Sequence, residues 1–368
     1  MNPDPPPLLE ALALAREAIT LSNPNPRVGC VLTDPEGRVL GRGHTQQAGG
    51  PHAEIVALRD AAARGNAVAG ATAWVSLEPC SHQGRTGPCC DALIAAGIGR
   101  VVASLADPNP LVSGQGFERL KAAGIAVEVG PGAAASRELN LGFFSRMVRK
   151  TPWVRMKIAA SLDGRTALEN GASQWITSPP AREDGHAWRA RADAVLTGIG
   201  TVLEDDPQLD VRWVATTRQP HLVVVDSRLE TPPDAKLFGP ARRLFIYFAV
   251  PHAQREAALQ ARGATLVHAP GGGGKVDLQA MLLDLARREV NELHVEAGHK
   301  LNGSFIREGL VDEFLVYLAP RLLGQGRDMA SFGPLQELGQ AVALDFVSTA
   351  SVGPDLRIVA RVTGRDRF

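Results

Sequence analysis

Short apolar segments of strand length alternate with segments of helical periodicity along almost the whole chain. In the first half the strand-like segments are 28–32, 38–43, 72–77, 101–105 and 125–129, and the helical patterns are 52–63, 89–96 and 117–123. This alternation predicts an α/β fold, in which helices cover the faces of a largely parallel sheet. The turn at Asp34-Pro35-Glu36-Gly37 adds a hairpin near the start.

The alternation restarts near residue 150, which indicates a second domain. A helical pattern over 138–149 ends at Thr151-Pro152, because a proline disfavours helical geometry in the residue before it. A chain of 368 residues is long enough for two domains of ordinary size. We therefore expect a first domain over residues 1–147 and a second over residues 151–368.

The balance of charged and apolar residues argues against two classes of protein. The 39 basic and 39 acidic residues cancel, whereas a protein that binds nucleic acid by electrostatics needs a basic face. No apolar run approaches the roughly 18 residues that a membrane-spanning helix requires. The start of the chain lacks the basic and apolar regions of a signal peptide. We therefore expect a cytoplasmic protein with no nucleic-acid or membrane partner.

A histidine and two cysteines form the pattern of a catalytic zinc site. His52 and Glu54 share one short motif, and Cys80 and Cys89 follow after a predicted strand. Zinc favours imidazole and thiolate ligands, and a catalytic zinc keeps its fourth position open for water. Glu54 is then the general acid and base that moves a proton from this water to a leaving amine. We therefore expect Zn²⁺ on His52, Cys80 and Cys89.

The spacing of the cysteines leaves an alternative open. Eight residues separate Cys80 from Cys89, where zinc deaminases have two, so the polar segment 81–88 must loop out. A structural zinc site would take a fourth protein ligand, for which Cys90 or His82 is available. We favour the catalytic site, because a structural site leaves the motif glutamate without a role. The other two cysteines are then expected to pack as small apolar side chains.

Longer motifs extend this pattern and resemble a known family. They are Asn23-Pro24-Asn25-Pro26, His52-Ala53-Glu54, Leu77-Glu78-Pro79-Cys80-Ser81-His82, Gly84-Arg85-Thr86, Pro88-Cys89 and Asp107-Pro108-Asn109-Pro110. Together they resemble the deaminase half of the bifunctional deaminase–reductase family of riboflavin biosynthesis. The resemblance covers nearly the full chain. It implies a cytidine-deaminase-like α/β/α sandwich followed by a dihydrofolate-reductase-like α/β domain.

The resemblance also implies a substrate and a pocket for it. The substrate is the pyrimidine ribotide 2,5-diamino-6-ribosylamino-4(3H)-pyrimidinone 5′-phosphate, whose ring 2-amino group leaves as ammonia. The residues implied to line the pocket are Asn25, His44, Asp107 and Asn109. Asparagine and aspartate beside proline are also common turn formers, so a structural role for these residues stays open. The family further suggests a homo-oligomer, either a dimer or a tetramer.

The second half resembles the reductase of the same family, which uses NADPH to reduce the ribosyl side chain to ribityl. By resemblance, the NADPH contacts are Ala159, Trp175, Thr201, Asp205, Ser227, Gly298, His299, Lys300, Leu301, Asn302, Gly303 and Ser304. The substrate contacts are Ser173, Arg189, Leu209, Arg212 and Glu296. A helix predicted to begin at Leu301 would offer its N-terminus to a phosphate group.

Side-chain chemistry suggests roles for some of these residues. Guanidinium groups bind phosphate in a bidentate manner, so Arg189 and Arg212 suit the substrate phosphate, with solvated surface arginines as the alternative. Lys157 and Asp205 are the candidates for catalytic proton transfer at the sugar carbon. Ala297 stands where the family commonly has glycine, and a requirement for positive φ at this position would weaken cofactor binding.

Two other functions remain open from the sequence. A deaminase with a single activity, on a cytidine-like or tRNA substrate, would use the second half only for binding or dimerisation. Zero net charge speaks against tRNA as that substrate. A non-catalytic zinc scaffold that binds nucleotides would instead hold the ion with a complete set of protein ligands.

Overall fold

The computed structural model describes residues 3–82, 87–110 and 112–368. Gly84, Arg85 and Thr86 of the extended motif lie outside the described residues, as does the middle of the segment expected to loop out. The chain divides into two compact units, Met1–Lys150 with Phe368, and Thr151–Arg367. Strands and helices alternate in both units, which confirms the predicted α/β class.

The first unit is built on one five-stranded sheet. Its strands are β1 Gly29–Thr33, β2 Val39–His44, β3 Thr72–Val75, β4 Arg100–Ala103 and β5 Ala126–Val129. Its helices are α1 Pro6–Glu17, α2 Ala53–Ala63, α3 Cys89–Ala95, α4 Gln115–Ala122, α5 Ala133–Leu139 and α6 Leu141–Arg149. The strand order is β2-β1-β3-β4-β5. The predicted hairpin β1–β2 is antiparallel, whereas β3, β4 and β5 run parallel.

Two glycines of β2 let helix α2 lie close against the sheet. A β-carbon on Gly43 would lie 2.3 Å from the carbonyl oxygen of Ala53, and one on Gly41 would lie 2.3 Å from that of Ala57. No side chain larger than hydrogen fits at these positions, so the helix backbone rests directly on the strand. This contact fixes the position of the N-terminal end of α2, which carries two of the predicted site residues.

The helix predicted over 138–149 is in fact two helices, α5 and α6, which meet at Asn140. The side-chain oxygen of Asn140 accepts the Arg27 N–H at 2.8 Å, and its amide donates to the Arg27 carbonyl at 3.0 Å. These bonds hold Asn140 outside helical geometry, with φ −120° and ψ 17°. Arg27 lies 113 residues from Asn140 in sequence, so the local periodicity gives no sign of this contact. The sequence therefore predicted one helix where the structure has two.

The second unit is built on a nine-stranded sheet and a separate two-stranded ribbon. Its strands are β6 Trp153–Ser161, β7 Arg165–Leu168, β8 Ala194–Gly198, β9 His221–Val225, β10 Leu244–Phe248, β11 Thr265–His268, β12 Glu292–Val295, β13 Glu313–Ala319, β14 Gly326–Asp328, β15 Leu344–Val352 and β16 Asp355–Val362. Its helices are α7 Pro179–Arg191, α8 Ile199–Asp205, α9 Ala253–Ala261, α10 Leu278–Arg287 and α11 His299–Arg307.

The large sheet is parallel over most of its width. Its order is β11-β10-β9-β8-β12-β6-β13-β16-β15, with the last two strands antiparallel, and β14 pairs with β7 in the ribbon. Apolar side chains of α10 and α11, such as Met281, Leu285 and Phe305, share one buried core with the central strands. The carboxyl ends of the parallel strands meet at one edge, which is where such sheets bind ligands.

Two features of the second unit differ from the sequence-based expectation. Helix α11 begins at His299, so the predicted start at Leu301 is wrong by two residues, and Gly298 occupies the N-cap position. The hairpin β15–β16 was not predicted at all. Most residues of β15 are exposed, so the strand lacks the alternation of buried and exposed positions that marks a strand in sequence. Among the described residues, none of the helices combines the length and apolar character needed to cross a membrane.

Candidate active sites

The three predicted zinc ligands lie at the ends of secondary-structure elements in the first unit. His52 is the N-cap residue of α2, and Cys89 is the first residue of α3, directly after Pro88. Cys80 follows strand β3 in the segment that leads to α3. The positive ends of two helix dipoles therefore meet at the site, and they favour thiolate over thiol.

The donor atoms of these residues converge as a zinc site requires. The Nδ1 atom of His52 lies 3.2 Å from the Cys89 sulfur and 3.5 Å from the Cys80 sulfur. Tetrahedral zinc, with bonds of about 2.0 Å to nitrogen and about 2.3 Å to sulfur, places such ligand atoms about 3.6 Å apart. The hydrogen bond between the two sulfurs lowers the pKa of Cys80 and raises that of Cys89, so in the metal-free site the pair shares one proton. Two thiolates and one imidazole are the donors that zinc favours.

Glu54 lies in the first turn of α2, beside the three donors. Its side chain is 3% exposed, and burial, followed by the charge of Cys80, raises the pKa of its carboxyl group to about 7. A carboxyl group with a pKa near neutrality can both accept and release a proton at physiological pH. The geometry therefore fits a general acid and base next to a metal.

The fourth-ligand alternative assigns a metal-binding role to Cys90 or His82, and neither belongs to the described group of donors that could hold an ion. The Cys90 sulfur instead donates to the Pro79 carbonyl at 3.2 Å, and burial raises the pKa of this thiol to about 12. Within the described residues, the cluster that could hold an ion comprises His52, Cys80 and Cys89, with donor atoms within 4.8 Å of one another. Three protein donors leave one tetrahedral position for water, as in catalytic zinc sites.

A buried carboxylate holds the segment that follows β4. Glu78 is 7% exposed and accepts the backbone N–H groups of Asp107 at 2.9 Å, Gly114 at 2.9 Å and Gly116 at 2.8 Å. In the sequence, Glu78 was noted only as a member of the motif around Cys80 that resembles the deaminase family. Its function as an anchor depends on contacts 29 to 38 residues away in sequence, which a motif does not reveal.

The four expected pocket residues of the deaminase fall into two groups. Asp107 lies with Cys80 in a small depression, and its carboxylate accepts the Asn109 N–H at 2.8 Å. Burial raises the pKa of Asp107 to about 6. His44 instead faces Glu17, with Nδ1 3.6 Å from the carboxylate, and Asn25 lies in the turn after α1. Their contact with substrate stays a prediction.

The second unit contains a cleft of about 610 Å³, within the range of small-molecule binding sites. Most of the residues expected to bind substrate and NADPH line it: Lys157, Ala159, Ser173, Trp175, Arg189, Thr201, Asp205, Leu209, Arg212, Glu296, Gly298, His299 and Asn302. Five of the expected residues are not among the described residues that line the cleft: Ser227, Lys300, Leu301, Gly303 and Ser304. The Ser227 hydroxyl accepts the Val276 N–H at 3.3 Å, which is a contact within the sheet-end loops.

Glu296 holds two cations at the bottom of the cleft. Arg189 contacts both of its carboxylate oxygens through Nε and Nη2, and the Lys157 ammonium lies 3.7 Å away. Burial by itself would raise the pKa of Glu296, but Arg189 and Lys157 hold it well below its usual value. Burial lowers the pKa of Lys157 in turn, against the attraction of Glu296. The predicted phosphate ligand Arg189 is therefore already neutralised by a carboxylate.

The remaining polar residues give the cleft its charge. Arg212 pairs with Asp210, and burial raises the pKa of Asp205. Ala297 is not among the residues with positive φ, so its side chain causes no backbone strain there, and the concern raised by its replacement of glycine does not apply. The Asn302 amide donates to the Met329 carbonyl at 3.0 Å, which ties the first turns of α11 to the loop after β14.

Among the cleft residues that the sequence did not predict, three lie close to Arg189 or to its helix. Arg182 and His186 precede Arg189 on α7 by seven and three residues and line the cleft with it, and Trp213 lies opposite, 4.8 Å from the His186 ring. The helical spacing of Arg182, His186 and Arg189 is a signal that could have found them. Burial, followed by Arg189, lowers the pKa of His186 to about 4, so this side chain is neutral at physiological pH.

Two family models match the chain, one for each unit. Residues 6–105 match the cytidine and deoxycytidylate deaminase zinc-binding region, and residues 152–358 match the RibD C-terminal domain. The riboflavin biosynthesis protein RibD of Escherichia coli (strain K12) is 42% identical over 362 residues, which cover 95% of this chain and 96% of the relative. The RibD protein of Aquifex aeolicus is 38% identical and covers 95% of each chain.

Solved structures agree with these relatives. A structure of RibD from Acinetobacter baumannii is 38% identical, with a TM-score of 0.88 over 97% of this chain and 98% of that one. A Thermotoga maritima structure is described as a diaminohydroxyphosphoribosylaminopyrimidine deaminase/5-amino-6-(5-phosphoribosylamino)uracil reductase. It is 30% identical, with a TM-score of 0.84 over 97% of both chains. The chain therefore belongs to the RibD family, the bifunctional enzymes of riboflavin biosynthesis that join a zinc-binding deaminase to an NADPH-dependent reductase.

Proposed function

We propose that this chain deaminates 2,5-diamino-6-ribosylamino-4(3H)-pyrimidinone 5′-phosphate and then reduces the ribosyl side chain of the product to ribityl. The deaminase corresponds to residues 1–147 and the reductase to residues 151–368. The observation that carries the proposal is the convergence of His52, Cys80 and Cys89 beside the buried Glu54. The second reaction is supported by the cleft around Lys157.

In the deaminase, zinc when bound supplies the Lewis acidity that makes water a nucleophile near neutral pH. His52, Cys80 and Cys89 hold the ion. The Glu54 carboxylate accepts the proton of the attacking water and delivers it to the ring 2-amino group, which leaves as ammonia. Burial raises the pKa of Glu54 above its usual value, which suits a carboxyl group that first accepts and then releases a proton. Asp107 and Asn109 stand on the segment that Glu78 anchors, and we expect them to contact the ring.

In the reductase, NADPH when bound supplies the hydride. Reduction at C1′ of the ribosyl group would break the bond from C1′ to the ring oxygen, and a residue of this chain would have to donate a proton to that oxygen. Lys157 is the proton donor we favour, because it lies in the cleft with its charge maintained by Glu296, 3.7 Å away. Asp205 also lines the cleft, and it is the second candidate for this transfer.

A coupled assay tests the proposal. The zinc-loaded protein is given the diaminopyrimidine ribotide and NADPH, and ammonia release and NADPH oxidation are followed together. We expect both signals, with NADPH oxidation lagging behind ammonia release. Ammonia without oxidation would refute the reductase assignment, and the absence of both signals from zinc-loaded protein would refute the proposed ring substrate.

The proposal includes assembly as a homo-oligomer, either a dimer or a tetramer. Strand β15 is the edge of the large sheet, so one row of its backbone groups has no strand beside it. Apolar side chains on and near this edge are exposed, among them Phe346 at 75% and Leu338 at 96%. Exposed apolar patches of this kind mark association surfaces.

We also propose a cytosolic location. The four cysteines form no disulfide bonds, which fits a compartment where thiols stay reduced.

Sedimentation of the purified protein tests the assembly. We expect a mass of two or four chains for the unaltered protein and a shift toward one chain in Phe346→Glu. Val250→Glu is a matched control, because Val250 is also an exposed apolar residue of the second unit but lies away from this edge. A single-chain mass for the unaltered protein, or an equal effect of both substitutions, would contradict the role of β15.

A further inference from the structure

The cations of the reductase cleft are nearly all paired with carboxylates. Six cations and four carboxylates line the cleft: Lys157, Arg182, Arg189, Arg212, Lys236 and Arg327, against Glu204, Asp205, Asp206 and Glu296. Arg189 and Lys157 share Glu296, and Arg327 donates to Glu204 at 2.6 Å. The other pairs are Arg212 with Asp210 and Lys236 with Asp206. Within the described part of the chain, Arg182 is the cleft cation with no ion pair.

The Arg182 guanidinium is nevertheless held in place. It lies 4.4 Å from the centre of the Trp175 ring and 5.6 Å from that of Trp213, and its Nη1 donates to the Thr177 carbonyl at 3.1 Å. Stacking on aromatic rings restricts a guanidinium without consuming its N–H donors. The Nε atom is buried and, among the described residues, has no hydrogen-bond partner, so it is not open to the cleft. The guanidinium nevertheless lines the cleft as a pre-positioned cation whose charge is offset by none of the described carboxylates.

We propose that Arg182 binds a phosphate monoester group of a reductase ligand, a site that the family resemblance assigned to Arg189 and Arg212. The inference rests on the proposed function, which brings two such groups into this cleft: the 5′-phosphate of the ribotide and the 2′-phosphate of NADPH. A phosphate dianion matches the planar fork of a guanidinium in both geometry and charge. Arg189 serves this purpose less well, because its Nε and Nη2 contact Glu296 and its Nη1 donates to the Asp210 carbonyl at 3.0 Å.

Steady-state kinetics of Arg182→Gln test the proposal with ligands that differ by one phosphate group. The cofactor pair is NADPH and NADH, and the substrate pair is the deaminated ribotide and its dephosphorylated riboside. We expect the KM of one phosphate-bearing ligand to rise about tenfold or more, since charged hydrogen bonds of this kind are lost. The KM of its phosphate-free counterpart should stay unchanged. The affected pair identifies which phosphate Arg182 binds.

Two comparisons separate a binding role from a structural one. Arg287→Gln makes the same change in net charge at the end of α10 and should leave all four KM values unchanged. Ammonia release by the first unit reports whether Arg182→Gln is folded. Arg182→Lys keeps the charge without the fork and should recover only part of the lost affinity.

Two results would overturn the inference. One is an equal rise in KM for both members of a pair, because this would mean that Arg182 supports the cleft without contacting phosphate. The other is no change for any ligand in a variant that still releases ammonia. Failure of the proposed function is recognised separately, because the unaltered protein would then oxidise neither NADPH nor NADH with the ribotide.

Discussion

At the scale of single residues, Glu54 makes the sharpest prediction. Glu54→Gln keeps the size and position of the side chain but removes its ability to accept a proton. We expect ammonia release to fall by about 10²- to 10⁴-fold, the usual contribution of a general acid and base. Zinc content, measured by atomic absorption, should stay at that of the unaltered protein, because Glu54 is not among the three donors.

Glu118→Gln is the matched control for this substitution. Glu118 lies on α4 of the same unit, its side chain is exposed, and its ion pair among the described residues is with the exposed Lys121. NADPH oxidation with the deaminated ribotide should be unchanged in both variants. Deamination at the normal rate by Glu54→Gln would remove Glu54 from the mechanism.

The pH dependence of the reductase tests the role of Lys157. If its ammonium donates the proton, kcat falls as pH rises through the pKa of Lys157, which burial places below the usual value of a lysine. Glu296 raises this pKa and Arg189 lowers it. We therefore expect the alkaline limb of the kcat profile to move to lower pH in Glu296→Gln and to higher pH in Arg189→Gln, each by about one unit or more.

The opposite signs of the two shifts make this test specific. General damage to the cleft would reduce kcat without moving the limb, and a proton donor elsewhere would not respond to both neighbours in opposite directions. Movement of the limb in the same direction in both variants would exclude Lys157 as the titrating group. In that case Asp205, the second candidate, becomes the group to examine by the same measurement.

The sequence predicts three metal donors, but it gives no sign of how the charges in the cleft are paired. Short motifs contain the three expected donors, His52, Cys80 and Cys89. The residue types in these motifs predict zinc binding without knowledge of the fold. The pairing of Arg189 with Glu296 joins residues 107 positions apart, and it changes Arg189 from a free phosphate ligand into a neutralised side chain. Such pairing depends on how β12 and α7 pack, which local pattern does not reveal.

At the scale of secondary-structure elements, the contact between β2 and α2 controls the deaminase site. In Gly43→Ala the added carbon would lie 2.3 Å from the Ala53 carbonyl oxygen and 2.5 Å from the Ala57 nitrogen. Because these are backbone atoms, the helix must move, and its N-cap residue is His52, an expected zinc ligand. We expect a loss of about 1–3 kcal/mol in the stability of the first unit and a marked loss of zinc affinity.

Zinc titration and thermal unfolding measure these two effects, and the reductase of the same chain serves as the internal control. NADPH oxidation with the deaminated ribotide should remain normal, because β2 and α2 belong to the first unit. Gly43→Ala with unchanged zinc affinity would mean that α2 can move without moving His52. The close approach would then be a packing detail without influence on the site.

Periodicity predicted most elements and failed where distant contacts or exposure decide the structure. The central strands of both large sheets are short apolar segments, so the sequence predicts them. The break between α5 and α6 is set by Asn140, whose side chain bonds the Arg27 backbone 113 residues away. Strand β15 is exposed along most of its length, so its residues lack the buried half of a strand pattern.

At the scale of the whole molecule, the two reactions depend on different groups in different units. The three expected zinc donors belong to Met1–Lys150, whereas the described lining of the reductase cleft falls in Thr151–Arg367. A boundary near residue 150 was predictable because Thr151-Pro152 ends a helical pattern. The four cysteines of the chain also all lie in the first unit, so the composition points to that half as the one with a thiolate metal site.

Chelation separates the two activities in the intact protein. Removal of zinc with a strong chelator should reduce ammonia release to background, because His52, Cys80 and Cys89 then hold no Lewis acid. NADPH oxidation should continue when the deaminated ribotide is supplied, since the described lining of the reductase cleft includes none of these three residues. Added zinc should restore ammonia release, which distinguishes loss of the metal from irreversible unfolding. Loss of both activities on chelation would show that the second unit depends on the metal, whereas persistence of both would refute the zinc assignment.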